Sequence, residues 1–64
     1  MKNRIKEIRE NKGITQTELS HLTGLSGGYI CHLEKGTRKN PSYKTMVAIS
    51  KALKEDVVVV FGLS

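Results

Sequence analysis

Four basic residues lie close together in the second half of this 64-residue sequence: Lys35, Arg38, Lys39 and Lys44. No acidic residue interrupts the stretch, and the whole chain has a formal net charge of +5. Lysine and arginine side chains form charge-assisted hydrogen bonds with phosphate oxygens, so this cluster favours a polyanion as partner. A solvated surface of a basic domain would have the same composition, and charge alone leaves both interpretations open.

His21, Cys31 and His32 have the side chains best suited to metal binding or nucleophilic chemistry. Cys31 and His32 are consecutive, and consecutive residues of a helix point about 100° apart, so they form neither a ligand pair nor a nucleophile–base pair. The C-x-x-C and H-x-x-x-H spacings of zinc sites are absent from the sequence. A chain this short also has little room for a shielded pocket. We therefore expect no metal, no cofactor and no enzymatic activity.

A capping box predicts the start of one helix. Thr15 and Glu18 have the spacing at which the hydroxyl accepts a backbone N–H while the carboxylate accepts another in return. Ile14 and Leu19 have the spacing of a hydrophobic staple around the same cap. These two signals predict a helix that starts at Gln16.

Similar caps and glycines divide the rest of the chain into helices. The sequence predicts a first helix capped by Asn3 and stopped at Gly13, then helices from Gln16 to Thr23, Gly27 to Lys35 and Tyr43 to about Lys54, and a short fifth helix capped by Asp56. The run Val57–Val60 stays ambiguous, because four β-branched residues favour a strand by propensity. The longest apolar run, which ends at Phe61, is too short to span a bilayer.

Only Gly24, Leu25 and Ser26 separate the second and third predicted helices. Two short helices joined by a tight, glycine-containing turn form the helix-turn-helix unit. Apolar residues of both helices would pack between them and against the first helix. One face of the helix over residues 27–35 would then remain free to enter the major groove of duplex DNA.

The segment ITQTELSHLTGLSGGYICHLEKG (residues 14–36) resembles the helix-turn-helix of the phage repressor and Cro-like (Xre) family. Asn40-Pro41-Ser42 and the following MVAISKAL resemble the family's fourth helix and its start. The resemblance implies an all-α, five-helix, repressor-like domain over residues 1–64, with the helix-turn-helix as helices two and three.

The resemblance also implies roles for individual residues. Base edges would be faced by Ser26, Gly27, Gly28 and His32. Phosphates would be contacted by Gln16, Tyr29, Lys35, Arg38, Lys39 and Asn40. A structural ion pair would join Arg9 and Glu34.

The sequence departs from the family pattern at four places. Gly27 and Gly28 stand where polar side chains are usual, so they either allow close approach of the DNA or only weaken the first turn. The loop 37–40 is one residue longer than is common, and Ser20 replaces the usual alanine. Val58 and Val59 replace charged residues.

The expected function is control of transcription by a cytoplasmic repressor that binds a palindromic operator as a homodimer, without a membrane and with a possible regulatory protein partner. The dimer interface would contain Val58, Val59 and Leu63, because the family register implies that the two valines face outward and form a small apolar patch beside Leu63. The alternative is a protein-interaction module of the same fold, antitoxin-like or anti-repressor.

Overall fold

The computed structural model describes residues 3–38 and 40–62, and over these residues it contains helices and no strand. The helices are α1 (Ile5–Asn11), α2 (Gln16–Thr23), α3 (Gly27–Lys35), α4 (Tyr43–Leu53) and α5 (Val57–Phe61). The predicted all-α architecture of five helices is confirmed.

Hydroxyl caps begin the three longest helices. Thr15, Ser26 and Ser42 each adopt an extended backbone and accept a hydrogen bond from a backbone N–H in the first turn of α2, α3 and α4. Gly24 and Gly36 end α2 and α3 with φ values of 76° and 79°, a left-handed conformation that costs glycine little. The boundaries of α2 and α3 are those expected from the sequence.

The caps of α1 and α5 differ from the expectation. Arg4, not Asn3, occupies the cap position of α1. The Asn3 side chain still accepts the Ile5 N–H at 3.1 Å, and its amide donates to the Leu33 carbonyl at 2.9 Å. Asn3 therefore joins the start of α1 to α3. Asp56 occupies the cap position of α5, but its side chain forms no capping hydrogen bond.

The valine run is helical, which resolves the ambiguity between strand and helix. Val60 and Phe61 are buried in the core, and Val57 packs against it. The Val60 carbonyl also accepts the Arg4 N–H at 2.8 Å. Burial of these side chains outweighs the strand propensity of valine, because propensity differences are small beside tertiary packing.

All five helices contribute to one small core. Its buried apolar side chains are Ile5, Ile8, Leu19, Ile30, Leu33, Ile49, Leu53, Val60 and Phe61. A core of this size leaves little excess stability, so the caps and polar links between helices matter for folding. None of the described helices has the length and apolarity that crossing a membrane requires.

The capping box of α2 makes stability depend on pH. Because its carboxylate accepts the Thr15 N–H at 3.0 Å, the pKa of Glu18 is lowered. The folded pKa is thus below the unfolded one, so this contribution is present above the unfolded pKa and is lost as pH falls through the folded pKa. We expect the melting temperature of wild type to fall relative to that of Glu18→Gln as the pH is lowered from neutral to values at which carboxylates become protonated. Parallel melting curves at all pH values would contradict this.

Candidate nucleic-acid interface

Side-chain hydrogen bonds hold the turn between α2 and α3. The Ser20 hydroxyl donates to the Leu25 carbonyl. The Thr23 hydroxyl donates to the Leu19 carbonyl at 2.8 Å and accepts the Leu25 N–H at 3.2 Å. The serine at the usual alanine position is therefore a link across the turn. These bonds, with left-handed Gly24, fix the angle between α2 and α3.

The third helix has one buried face and one exposed stripe. Ile30 and Leu33 are fully buried against the core. Gly28, His32 and Lys35 are exposed, and their i, i+4, i+7 spacing places them on one side of the helix. At about 100° per residue this side lies roughly 140–200° from the buried pair. We call Gly28, His32 and Lys35 the α3 stripe.

The two glycines that begin α3 are not required by the fold. Neither Gly27 nor Gly28 has a positive φ, and a Cβ built at either position meets no atom within 4 Å. Glycine lowers helix stability relative to alanine, by up to about 1 kcal/mol inside a helix. The first turn of α3 therefore lacks side chains for a reason other than steric crowding within this chain.

The His32 side chain on the stripe is held by Thr37. Its Nδ1 lies 2.8 Å from the Thr37 Oγ1, and the same hydroxyl lies 3.2 Å from the His32 carbonyl oxygen. The resemblance to the family implies no role for Thr37. The chain directly after the glycine that ends a helix folds back over the last turn. A hydroxyl residue at that position therefore indicates a possible contact with α3.

Tyr29 and Arg38 lie beside the stripe and contact each other. The Arg38 guanidinium carbon is 5.2 Å from the centre of the Tyr29 ring, a cation–π geometry. This contact orients the positive charge of an otherwise exposed loop residue. Asn40 is exposed and has a φ of 55°, while Lys39 lies outside the described residues.

A buried polar network joins α1, α2 and α3. The Arg9 guanidinium donates to both oxygens of Glu34, at 2.8 and 3.3 Å, and to the Ile14 carbonyl at 2.8 Å. The Gln16 amide donates to Glu34 at 2.9 Å. The Arg9 and Glu34 side chains are only 10% and 3% exposed. The hydrogen bond with Glu34 raises the pKa of Arg9, which stabilises its charged form.

Gln16 therefore has a structural contact in addition to the phosphate contact that the family resemblance implies. One amide hydrogen of Gln16 is directed at Glu34 and away from solvent. The family resemblance predicts the pair of Arg9 with Glu34 but not the bond from Gln16 to that carboxylate. The link follows from the position of Gln16 in the first turn of α2, beside the carbonyl of Ile14.

The remaining predicted residues lie at the start of α3 and on α5. The Ser26 hydroxyl caps α3 by accepting the Tyr29 N–H at 3.1 Å, which uses one of its hydrogen-bonding positions. Val58 and Val59 are exposed on α5, 59% and 36%, and Leu63 lies outside the described residues. Over residues 3–38 and 40–62, no three His, Cys, Asp or Glu side chains gather into a possible metal site.

The relatives described below are named as a repressor, a controller protein or a regulator. The chain is 37% identical over 59 residues to the immunity repressor protein of Bacillus phage phi105, a match that covers 92% of this chain and 40% of that protein. This chain thus spans less than half the length of that relative.

Solved structures agree in fold. The restriction-modification controller protein C.AhdI of Aeromonas hydrophila superposes with a TM-score of 0.84 and 33% identity, over 91% of this chain and 86% of that one. SinR, described as the master regulator for biofilm formation and solved in complex with DNA, superposes with a TM-score of 0.80 and 31% identity, over 84% of this chain and 86% of that one. SinR of Bacillus subtilis has also been solved in complex with the SinI protein, with a TM-score of 0.80, 31% identity, and 86% and 53% coverage.

The family model described as helix-turn-helix matches residues 5–60, which include the whole of α1 to α4 and α5 as far as Val60. The turn geometry and the exposed stripe of α3 agree with that match. This chain belongs to the helix-turn-helix family.

Proposed function

We propose that this protein is a transcriptional regulator, a repressor, that binds specific sequences of duplex DNA with α3 in the major groove. The main support for this proposal is the exposure of the α3 stripe. Its exposed side chains lie opposite the buried face of α3, on a helix whose angle to α2 is fixed by the bonded turn. An α-helix with its side chains is about 10–12 Å in diameter, which fits the roughly 12 Å width of the major groove.

The proposed contacts divide into two kinds. Base edges are faced by His32 and by the backbone and hydroxyl at the start of α3: Ser26, Gly27 and Gly28. Phosphates are contacted from the edges of the groove by Gln16, Tyr29, Lys35, Arg38, Lys39 and Asn40. Phosphate contacts supply most of the affinity, whereas base contacts supply the discrimination.

The relatives support this function. SinR has been solved with DNA, and the phage relative is named an immunity repressor. Because the phage protein is much longer than this chain, only the function of the shared domain is carried over. A regulator of duplex DNA acts where the DNA is, so we place this protein in the cytoplasm of a bacterial cell.

A second candidate function is a protein-interaction module of the same fold. The complex of SinR with SinI supports it, since a protein that contains a related domain forms a complex with another protein. The two functions are compatible in one chain, because the α3 stripe and the exposed valines of α5 lie on different helices.

The salt dependence of DNA binding tests the first function. Log K for a duplex should fall with log salt concentration at about 0.9 per phosphate neutralised. Arg38→Ala should reduce that slope by about 1 and weaken binding to all sequences alike. Lys51→Ala is the matched control. It removes an equal charge about 12 Å further along α4 from the loop, so its slope should equal that of wild type.

A slope near zero on every duplex would contradict the DNA function. Equal slopes for the two variants would remove Arg38 from the interface. A stable complex with a protein partner, together with no salt-dependent DNA binding, would favour the second function.

The glycines of α3 provide a prediction in which stability and affinity move in opposite directions. Gly27→Ala and Gly28→Ala should each stabilise the protein by up to about 1 kcal/mol, because the added methyl group meets no atom and alanine favours the helix. If the first turn lies against the DNA, the same methyl groups should weaken specific binding. Melting temperatures and affinities are measured on each variant, with affinities taken at a temperature where all proteins are folded.

An unchanged affinity in both stabilised variants would show that the first turn touches no DNA. The weak first turn would then be the whole explanation of the glycine pair.

A further inference from the structure

The hydrogen bonds around His32 determine which of its ring nitrogens carries the proton. A neutral imidazole has one N–H donor and one acceptor nitrogen, and the partner of one nitrogen fixes the role of the other. The partner here is Thr37, whose Oγ1 lies 2.8 Å from Nδ1. The remaining question is which of the two groups donates.

The Thr37 hydroxyl has one hydrogen and two acceptors within reach, Nδ1 and the His32 carbonyl oxygen at 3.2 Å. That carbonyl already accepts three backbone N–H groups, from Gly36, from Thr37 at 3.1 Å and from Arg38 at 3.2 Å. A carbonyl oxygen has two lone pairs, so its capacity is filled. The Thr37 hydroxyl therefore donates its hydrogen to Nδ1, which is also the nearer acceptor.

We propose that Thr37 is a positioning residue that holds His32 in the Nε2–H form, so that α3 presents a hydrogen-bond donor and prefers guanine at the base pair it meets. His32 is exposed on the α3 stripe. Over the described residues no hydrogen bond engages Nε2. The inference of a base preference rests on the proposed function, whereas the inference of the tautomer does not.

The choice of guanine follows from the groups in the major groove. Guanine presents two acceptors there, N7 and O6, while cytosine presents only a donor. Adenine and thymine each present one acceptor, beside an amino group or a methyl group. A single N–H donor can bond to either guanine acceptor and meets no competing amino group there, so guanine matches the Nε2–H form better than any other base. The Nδ1–H form would present an acceptor at Nε2 and would favour cytosine or adenine.

The first arm of the test measures the tautomer in the free protein. Long-range proton–nitrogen correlation spectra of ¹⁵N-histidine protein, at alkaline pH where the ring is neutral, separate the two forms. His21, assigned with His21→Gln, is the reference for an exposed histidine. We expect His32 to be a single Nε2–H form, Thr37→Val to become a mixture like His21, and Thr37→Ser to match wild type. An Nδ1–H form, or spectra unchanged by Thr37→Val, would overturn the proposal.

The second arm measures base preference on duplexes obtained by selection. Wild type should bind a site with guanine at the His32 position about ten-fold more tightly than the same site with cytosine there. Thr37→Val should lose most of that ratio and keep the salt slope of wild type, and Thr37→Ser should keep the ratio. A merely structural role of Thr37 would instead weaken all sites equally, which contradicts the proposal.

The two arms separate this inference from the proposed function. If the protein binds no duplex DNA, the proposed function fails and the guanine preference fails with it, while the tautomer result stands by itself. If it binds DNA with a cytosine preference at the His32 position, the DNA function stands and the donor assignment is wrong.

Discussion

Replacing Glu34 by leucine is expected to remove a large share of the free energy that stabilises the folded protein. Glu34 accepts two hydrogen bonds from Arg9 and one from Gln16, and its side chain is 3% exposed. Its removal leaves the Arg9 guanidinium, itself 10% exposed, without its counter-charge. Breaking one partner of a buried pair costs about 3–5 kcal/mol, and a chain of this length has about 3–10 kcal/mol in total. Thermal and urea unfolding followed by circular dichroism measure the loss.

A double-mutant cycle separates a buried charge from a general loss of packing. Arg9→Met should also be strongly destabilising, because it leaves the Glu34 carboxylate with only the amide of Gln16. The double variant Arg9→Met with Glu34→Leu should be more stable than either single variant, since no buried charge remains. Additive losses in the double variant would mean that packing, and not charge, accounts for the effect.

The exposed pair Arg4 and Glu7 is the matched control. Its nitrogen–oxygen distance is 3.1 Å, but its side chains are 52% and 57% exposed. Glu7→Gln should therefore cost less than about 1 kcal/mol. The unfolding midpoints of the Glu34 variants should lie much further below that of wild type than the midpoint of Glu7→Gln does. If all of these midpoints lie equally close to wild type, the network has no structural role.

The double variant Val58→Lys with Val59→Glu is expected to separate a dimer into monomers and leave the fold intact. Both valines are exposed, whereas the core contacts of α5 are made by Val60 and Phe61. We infer that a second copy of the chain covers this patch, because two domains on a palindrome place their recognition helices about 34 Å apart and double the contacts. The net charge of the variant equals that of wild type, so long-range attraction to DNA is unchanged.

Sedimentation measures the oligomeric state of the variant, and DNA binding measures its affinity for the palindrome and for a half-site. The variant should sediment as a monomer and lose about a hundred-fold or more in affinity for the palindrome, while its affinity for an isolated half-site stays the same. Leu22→Lys, at an exposed apolar residue of α2, should leave sedimentation unchanged. A double variant that still sediments like wild type would remove Val58 and Val59 from the dimer interface.

The helix boundaries around the turn could be predicted from the sequence because each depends on local chemistry. Thr15, Ser26 and Ser42 are hydroxyl caps whose hydrogen bonds span three residues, and Gly24 and Gly36 end helices through their own backbone. Such signals lie within one turn of chain, so the sequence contains all of the information that determines them.

The features that could not be predicted depend on contacts between distant segments. The valine run of α5 has strand propensity, and only burial of Val60 and Phe61 makes it helical. The bond from Asn3 to Leu33 joins residues 30 positions apart, so no local pattern indicates it.

For the candidate interface, the motif predicts which residues face DNA but not which neighbours hold their side chains. The position of His32 in the motif predicts a contact with a base, whereas its contact with Thr37 depends on the fold of the chain after Gly36. The Gln16 amide is directed at Glu34 because Arg9 brings that carboxylate to the start of α2.

Sequence recognition by α3 is tested by a selection of binding sites from random duplex DNA, carried out with wild type and with His32→Ala. We expect wild type to enrich a palindrome whose half-sites are about one helical turn apart. We expect His32→Ala to enrich the same palindrome, with discrimination reduced by about 1–3 kcal/mol at one base pair of each half-site. No enriched sequence from wild type, or an identical preference at every position from both proteins, would contradict the claim that the α3 stripe recognises DNA sequence.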